Sequence, residues 1–318
     1  MTLPVAVVGA GLAGLSCACT LAAAGHPVRL YDKGRAPGGR LATRRAEVDG
    51  VRLQFDHGAQ YLTARGSAFA ALLEADAVRW PAAGQGRFVG APGMSALPRA
   101  LAGGVPLLLS RHVTGLSRDA VGWHVRHVDA AAIRSGRPIA GVPATEDGPF
   151  AAVLLAVPAP QAVTLLEPLD ARLARAAASA DLAPCWTVMA SFATRPDLPD
   201  LVRPEAGPLA WAARDSGKPG RDAATECWVL QASPTWSREH LEAEPAQAME
   251  RLLAALPLPA PRHAAAHRWR YALADRPLGE GCVWDAALRV GLCGDWCIAG
   301  RAEAAFDSGA ALARAVLG

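Results

Sequence analysis

Residues 4–14 read Pro-Val-Ala-Val-Val-Gly-Ala-Gly-Leu-Ala-Gly: a short apolar run, then three glycines in G-x-G-x-x-G spacing. An Ala/Leu-rich stretch over residues 12–24 follows, and Gly25 can cap it. This order predicts a strand, a tight turn and a helix. Gly9 permits the turn, Gly11 lets the backbone approach a pyrophosphate, and Gly14 lets helix and strand pack closely. The helix N-terminus then offers free N–H groups and a positive dipole end to phosphates. Residues 28–31 supply a second strand that ends at Asp32, where a carboxylate can accept hydrogen bonds from a ribose diol.

Beyond Asp32 the chain is expected to loop at residues 34–39 and 55–58, with a short helix at 69–74. Strands are expected at 111–116, 123–128 and 150–157, and a helix at 165–180. Further strands are expected at 186–192, 227–232 and 267–271, with a helix at 245–256. A strand at 290–293 and a helix at 301–317 close the chain. Six of the nine tryptophans lie between residues 161 and 285, which fits large rings filling a sheet-based core. The expectation is an α/β chain in two domains. A discontinuous dinucleotide-binding domain of Rossmann-like type takes residues 1–64, 93–160 and 284–318. A smaller mixed-sheet substrate cap takes 65–92 and 161–283.

The chain has 318 residues, of which 52% are hydrophobic and 19% charged, and its formal net charge is +3. That suits a globular enzyme. Arginines are scattered, which argues against a nucleic-acid footprint or a membrane-binding patch. The apolar start lacks a basic leader and no long apolar run suggests a membrane span. The seven cysteines show no zinc spacing and no dense disulfide pattern. Reduced thiols in a cytoplasmic protein, without a metal, are therefore expected.

The glycine motif does not choose between NAD and FAD, because both share the ADP half. Two other segments favour FAD. Gly38-Gly39-Arg40 follows the ribose acid, where flexible backbone and a cation can contact phosphates or flavin. Gly294-Asp295-Trp296 follows a strand and precedes the last helix. Its acid can bind ribitol or pyrophosphate, and the helix start near Arg301-Ala302-Glu303 can face the flavin's N1/C2 edge. Cys297 lies close by, as a plain buried thiol or as a thioether anchor.

These segments carry a resemblance. Residues 31–45, 55–65, 90–97, 155–160, 184–188, 267–272 and 294–297 resemble the renalase-like branch of the flavin-containing amine-oxidase superfamily, over essentially the full chain. The resemblance implies non-covalent FAD at Gly11, Ala13, Asp32, Lys33, Arg40, Asp56, His57, Val113, Asp295 and Ala302. It also implies hydride transfer from 2- and 6-dihydro isomers of NAD(P) to flavin N5, with O2 as the electron acceptor. Alternatives are a flavin amine oxidase, or a FAD-binding redox module without rapid turnover.

Candidate substrate-side residues are Trp269, Gln231, Trp186 and Tyr61. Trp269 and Trp186 fit either an apolar wall against a planar substrate or the core. Arg268 and Arg270 alternate with Trp269 and are expected on the opposite, solvated face. His57 contacts flavin through its backbone or acts through its imidazole. Gln231 stands where the resemblance implies His, keeping hydrogen bonding but losing a titratable cation.

Overall fold

A computed structural model of the chain describes residues 2–134 and 137–318. The chain forms two compact units: residues 1–39, 98–181 and 274–318, and residues 40–97 and 182–273. Residues 40–64 thus lie in the second.

The first unit is built on a six-stranded sheet in the order Val283–Asp285, Val290–Leu292, Ala152–Leu155, Val5–Val8, Val28–Tyr31, Leu107–Leu108. All neighbours are parallel except the first pair. Val5–Val8 and Ala152–Leu155 are buried throughout, as expected for central parallel strands covered on both faces. The helix Leu12–Ala23 joins the first two strands and packs against the final helix, Ala302–Leu317. Gly309 makes that approach possible: a methyl there would collide with the Ala13 carbonyl. Ser16 Oγ also donates to the Phe306 carbonyl at 2.7 Å. The chain's last helix therefore supports its first.

The second unit contains a five-stranded sheet in the order Leu201–Val202, Leu209–Arg214, Glu226–Ala232, Asp181–Phe192, His263–Arg276. Period-two alternation sorts its side chains onto two faces. Trp186, Val188, Ala190, Trp228 and Leu230 join the helix Pro245–Leu253 in one core, through Ala248 and Leu252. Met189, Cys227 and Val229 pack with Leu53 and Phe55 of the Thr43–Val48/Val51–Asp56 hairpin.

Several expected elements differ. The hairpin was not foreseen; Asp49 (φ +51°) and Gly50 (φ +76°) form its two-residue turn. The single helix expected at 165–180 is two, Ala159–Leu166 and Ala171–Ala178. Pro168 lacks an amide to continue the first, and Asp170 caps the second by accepting the Leu173 N–H at 2.7 Å. The strand expected at 150–157 is split, since Phe150 ends an antiparallel strand, Thr145–Phe150, before Ala152–Leu155 begins. The strand expected at 267–271 is the middle of the longer His263–Arg276.

Candidate functional site

In the first unit the glycine turn is shaped as its spacing demands. Gly9 sits at φ +106°, a region glycine enters at little cost, and a methyl there would lie 2.5 Å from the Ala156 carbonyl oxygen. A methyl on Gly14 would collide with the Gly9 carbonyl. Beside Gly11 the space is open: nothing lies within 4 Å of where a Cβ would be. Gly11 also caps Leu12–Ala23 without a side-chain acceptor on its first amides. Gly39 lies over this turn, with its Cβ position 3.5 Å from Gly11 Cα, and Gly38 N–H donates to the Ala10 carbonyl at 2.8 Å.

Asp32 clamps the turn. Its Oδ2 accepts the Ala10 N–H and its Oδ1 the Gly34 N–H, both at 2.6 Å. Each oxygen keeps a second lone pair for a ribose hydroxyl. Burial pushes the Asp32 carboxyl pKa up, against the two amides and Lys33, which favour the charged form. Lys33 Nζ also lies 3.4 Å from Gln161 Oε1. Val113 is buried two residues along from Arg111, whose N–H donates to the Asp32 carbonyl at 2.8 Å. An open backbone at Gly11, a bare helix start and an acid at the second strand fit the ADP half of a dinucleotide.

Further along this unit, Asp295 opens the short helix Asp295–Ile298, and its Oδ1 accepts the Trp296 N–H at 3.0 Å. Trp296 is buried and donates from Nε1 to the Val157 carbonyl at 3.0 Å. Ala302 is the first residue of the final helix. Cys297 is fully buried, and burial pushes its thiol up to about 12. The nucleophilic thiolate is therefore suppressed.

In the second unit, four hydrogen bonds fix the backbone of residues 56–60. Trp269 Nε1 donates to the His57 carbonyl at 2.9 Å, and Gln231 Nε2 to the Gly58 carbonyl at 2.7 Å. Gln60 Nε2 reaches the Asp56 carbonyl at 2.5 Å, while Ala59 N–H donates to the Arg40 carbonyl at 2.9 Å. Arg40 in turn donates from Nη1 to the Ala272 carbonyl at 3.0 Å. A side chain on Gly58 would strike the Arg40 carbonyl, so glycine is required by this close approach.

The Asp56 carboxylate is committed inside this unit. It accepts from Thr43 Oγ1 at 2.7 Å and Met94 N–H at 2.9 Å, and it pairs with Lys218 Nζ at 3.4 Å and Arg221 Nη2 at 2.5 Å. Burial alone would raise its pKa, but Lys218 and Arg221 outweigh burial and hold it below the usual carboxylate range. Lys218 also pairs with buried Asp215 at 2.6 Å. Sequence reasoning missed this cluster, because Asp215, Lys218 and Arg221 lie in a Gly/Pro-rich stretch that resembles a solvated loop. The Asp56 main chain is engaged as well, its N–H donating to Asp215 Oδ2 at 3.2 Å and its carbonyl accepting from Gln60 Nε2, so Asp56 holds the loop from within.

The row of side chains behind the loop is set by register. Gln231 pairs with Thr187 on one side and Trp211 on the other, so all three share the hairpin face. His267 and Trp269 join them. His57 lies 5.0 Å from each of their rings, centroid to centroid, and His267 lies 4.5 Å from Trp269. Burial pushes both imidazoles down to about 4, with His267 and Arg44 adding to the effect on His57, and Arg44 to that on His267. Tyr61 packs on Trp211 at 5.5 Å.

Trp186 does not belong to this row. It points to the opposite face, is buried, and donates from Nε1 to the His240 carbonyl at 2.9 Å. Of the two roles its sequence allows, the structure gives it the core. Arg268 and Arg270 share that opposite face, both pairing with Glu242. His267 and Trp211 were missed as site candidates; the alternation His267-x-Trp269 was the available signal for the first.

Among the described residues no helix is long and apolar enough to cross a membrane, and no group of three or more His, Cys, Asp or Glu forms a metal site.

A Rossmann-type nucleotide frame together with a second β-sheet unit that carries an aromatic face is the build of a dinucleotide-dependent oxidoreductase. Residues 7–75 match the NAD(P)-binding Rossmann-like domain, and residues 77–317 match the flavin containing amine oxidoreductase family. The chain belongs to that second family, whose members are flavin-dependent oxidoreductase enzymes. Its fold is similar to a protein of Exiguobacterium sp. 255-15 with a provisional protoporphyrinogen oxidase name (TM-score 0.70, 13% identity, 99% of each chain). It is also similar to putrescine oxidase bound to putrescine (TM-score 0.66, 14% identity, 100% of this chain and 99% of that one). An L-amino-acid oxidase of Pseudechis australis is 56% identical over 46 residues, which are 14% of this chain and only 9% of that relative's length.

Proposed function

We propose that the chain binds FAD non-covalently and oxidises 2- and 6-dihydro isomers of reduced NAD(P), with dioxygen as the final acceptor. The observation that carries this reading is the face formed by His57, His267, Trp269 and Gln231. Its two imidazoles are held neutral, with pKa values near 4, and its amide and indole are already engaged in fixing the loop. Such a face orients a planar ring and excludes water without exchanging protons near neutral pH. Oxidation of a misplaced-hydride dihydropyridine suits it, because aromatisation drives the step and positioning is what remains for the protein to supply.

Bound FAD supplies a hydride acceptor at N5 and a route for the electron pair to dioxygen. Gly9, Gly11, Ala13, Gly14, Asp32, Lys33 and Val113 are the residues proposed to hold its ADP half. Gly39, Arg40, Asp56, His57, Asp295 and Ala302 are proposed for the rest. The suppressed Cys297 thiol supports a non-covalent link, and seven free thiols fit a reducing, cytoplasmic setting.

Anaerobic mixing of the yellow protein with reduced-nucleotide isomers and with amines tests the proposal. Rapid bleaching by a 2- or 6-dihydro isomer, at a rate nearly flat from about pH 6 to 9, is expected. Amine oxidation is the rival that family membership favours. Faster bleaching by putrescine or an L-amino acid, at a rate climbing with pH as the neutral amine accumulates, would replace the nucleotide reading with it.

A further inference from the structure

Next to Gln231 on the hairpin face, two arginines flank the Tyr61–Trp211 pair. The Arg87 guanidinium lies 4.6 Å from the Tyr61 ring centroid, and the Arg203 guanidinium 4.8 Å from that of Trp211. Arg203 Nη2 also donates to the Tyr61 hydroxyl at 3.3 Å, and Arg87 Nη1 turns to the Ala83 carbonyl.

Most of the other arginines of this unit that are tied down have acids. Arg214 grips Glu226, Arg221 grips Asp56, and Arg268 and Arg270 share Glu242. Arg87 and Arg203 instead have a carbonyl, a phenol and two ring faces, with no carboxylate in ion-pair reach among the described residues. Stacking holds each guanidinium plane while leaving most of its N–H fork unused. Trp211 adds a buried Nε1 donor that has no protein acceptor. Two cations without counter-ions, a phenol and an unused indole donor together form a set of donors waiting for an anion.

We propose that Arg87, Arg203, Tyr61 and Trp211 form a subsite for an anionic group, phosphate or carboxylate, of a flat substrate. The enzyme would then select anionic ring compounds and disfavour ammonium-bearing ones. This rests on the reading that the hairpin face of the second unit receives the substrate. Guanidinium forks match both anions in bidentate geometry, and the same charges repel an amine.

The test uses oxidised holoenzyme and ligands that cannot reduce it, followed by calorimetry. Nicotinamide mononucleotide is compared with its dephosphorylated riboside, and nicotinate with nicotinamide. At least one anion is expected to bind about tenfold or more tightly than its neutral counterpart. The pair that shows the preference identifies phosphate or carboxylate. The preference should fall below about threefold in the Arg87→Gln/Arg203→Gln variant with flavin content unchanged, and it should shrink in the wild type as salt rises. The salt series decides the matter should the double variant fail to fold.

Equal binding within both pairs, no measurable binding of either anion, or a preference that survives in the folded variant or high salt would overturn the proposal. Because no reduction is measured, an anion preference in an enzyme that dihydronicotinamides fail to bleach would sink the proposed reaction while leaving the subsite intact.

Discussion

At the scale of single residues, Asp32 joins the nucleotide turn to the cofactor it is proposed to hold. Its two oxygens already order the backbone at Ala10 and Gly34. Their remaining lone pairs can take charge-assisted hydrogen bonds of roughly 1.5–3 kcal/mol each from a ribose diol. Asp32→Ala should therefore raise the FAD dissociation constant about tenfold or more, measured by flavin fluorescence on titrating the apoprotein. Unchanged affinity would mean that the ribose is held elsewhere. His57 and His267 make a different prediction, about pH. An unfolded imidazole takes up its proton near pH 6.5, but these two resist until about 4. Between those values the unfolded chain binds more protons, so stability should fall as pH drops through that window and stay level above about 7. Denaturant melts of His267→Asn between pH 4.5 and 7 should show a shallower fall than the wild type. An identical slope would remove the buried neutral pair from the account. The place of Asp32 at the end of the second strand is legible in the sequence because its cue is local, an acid closing a mostly apolar run. Trp186 and Trp211 could not be sorted, because a tryptophan's face depends on how its strand registers with its neighbours, and no spacing along the chain encodes that.

At the scale of elements, the nucleotide helix Leu12–Ala23 packs tightly against the final helix Ala302–Leu317. Gly309 brings the two backbones together, with the Ala13 carbonyl where a side chain would be. Gly309→Ala must push the helices apart, at a cost typical of overpacking, about 1–3 kcal/mol. A lower Tm and weaker flavin retention should appear together, since the displaced helix carries the glycine turn. Gly104→Ala, where nothing lies within 4 Å, serves as the control that leaves both unchanged. A normal Tm in Gly309→Ala would show that the final helix does not brace the first. Legibility at this scale follows how local each signal is. The strand–turn–helix start rests on closely spaced glycines between two short runs, and the structure has it where the sequence puts it. The Asp49-Gly50 turn is equally local, an Asp-Gly pair of the kind that two-residue hairpins favour, and was passed over because the flanking arginines obscured the alternation of its strands. The helix break at Pro168 was likewise visible in principle.

At the scale of the whole molecule, the two units have separable duties under the proposed function: a nucleotide frame in one and a proton-silent aromatic face in the other. Acid precipitation of the yellow protein should release FAD into the supernatant, because the thiol of Cys297, a residue whose N–H donates to the Gly294 carbonyl, is buried and protonated. Colour kept in the pellet would indicate a covalent link, with Cys297 the first suspect. Separability itself is tested at Trp269, which holds the His57 carbonyl at 2.9 Å and covers both imidazoles. Trp269→Phe keeps a ring against His57 but removes the donor; Trp269→Ala removes both and opens a cavity where water can reach His57 and His267. Solvation removes the main cause of their lowered pKa values, so both should titrate closer to 6.5. Anaerobic reduction by a dihydronicotinamide isomer should then slow modestly in Trp269→Phe and severely in Trp269→Ala. Only the alanine variant should gain a pH dependence between about 5 and 7, with FAD content normal in both. In the alanine variant the severe slowing and the new titration share one cause, the opened cavity, so they must appear together. A Trp269→Ala enzyme that is slow yet flat with pH would place the tryptophan in substrate positioning alone, and one that loses FAD would show that the two duties are not separable.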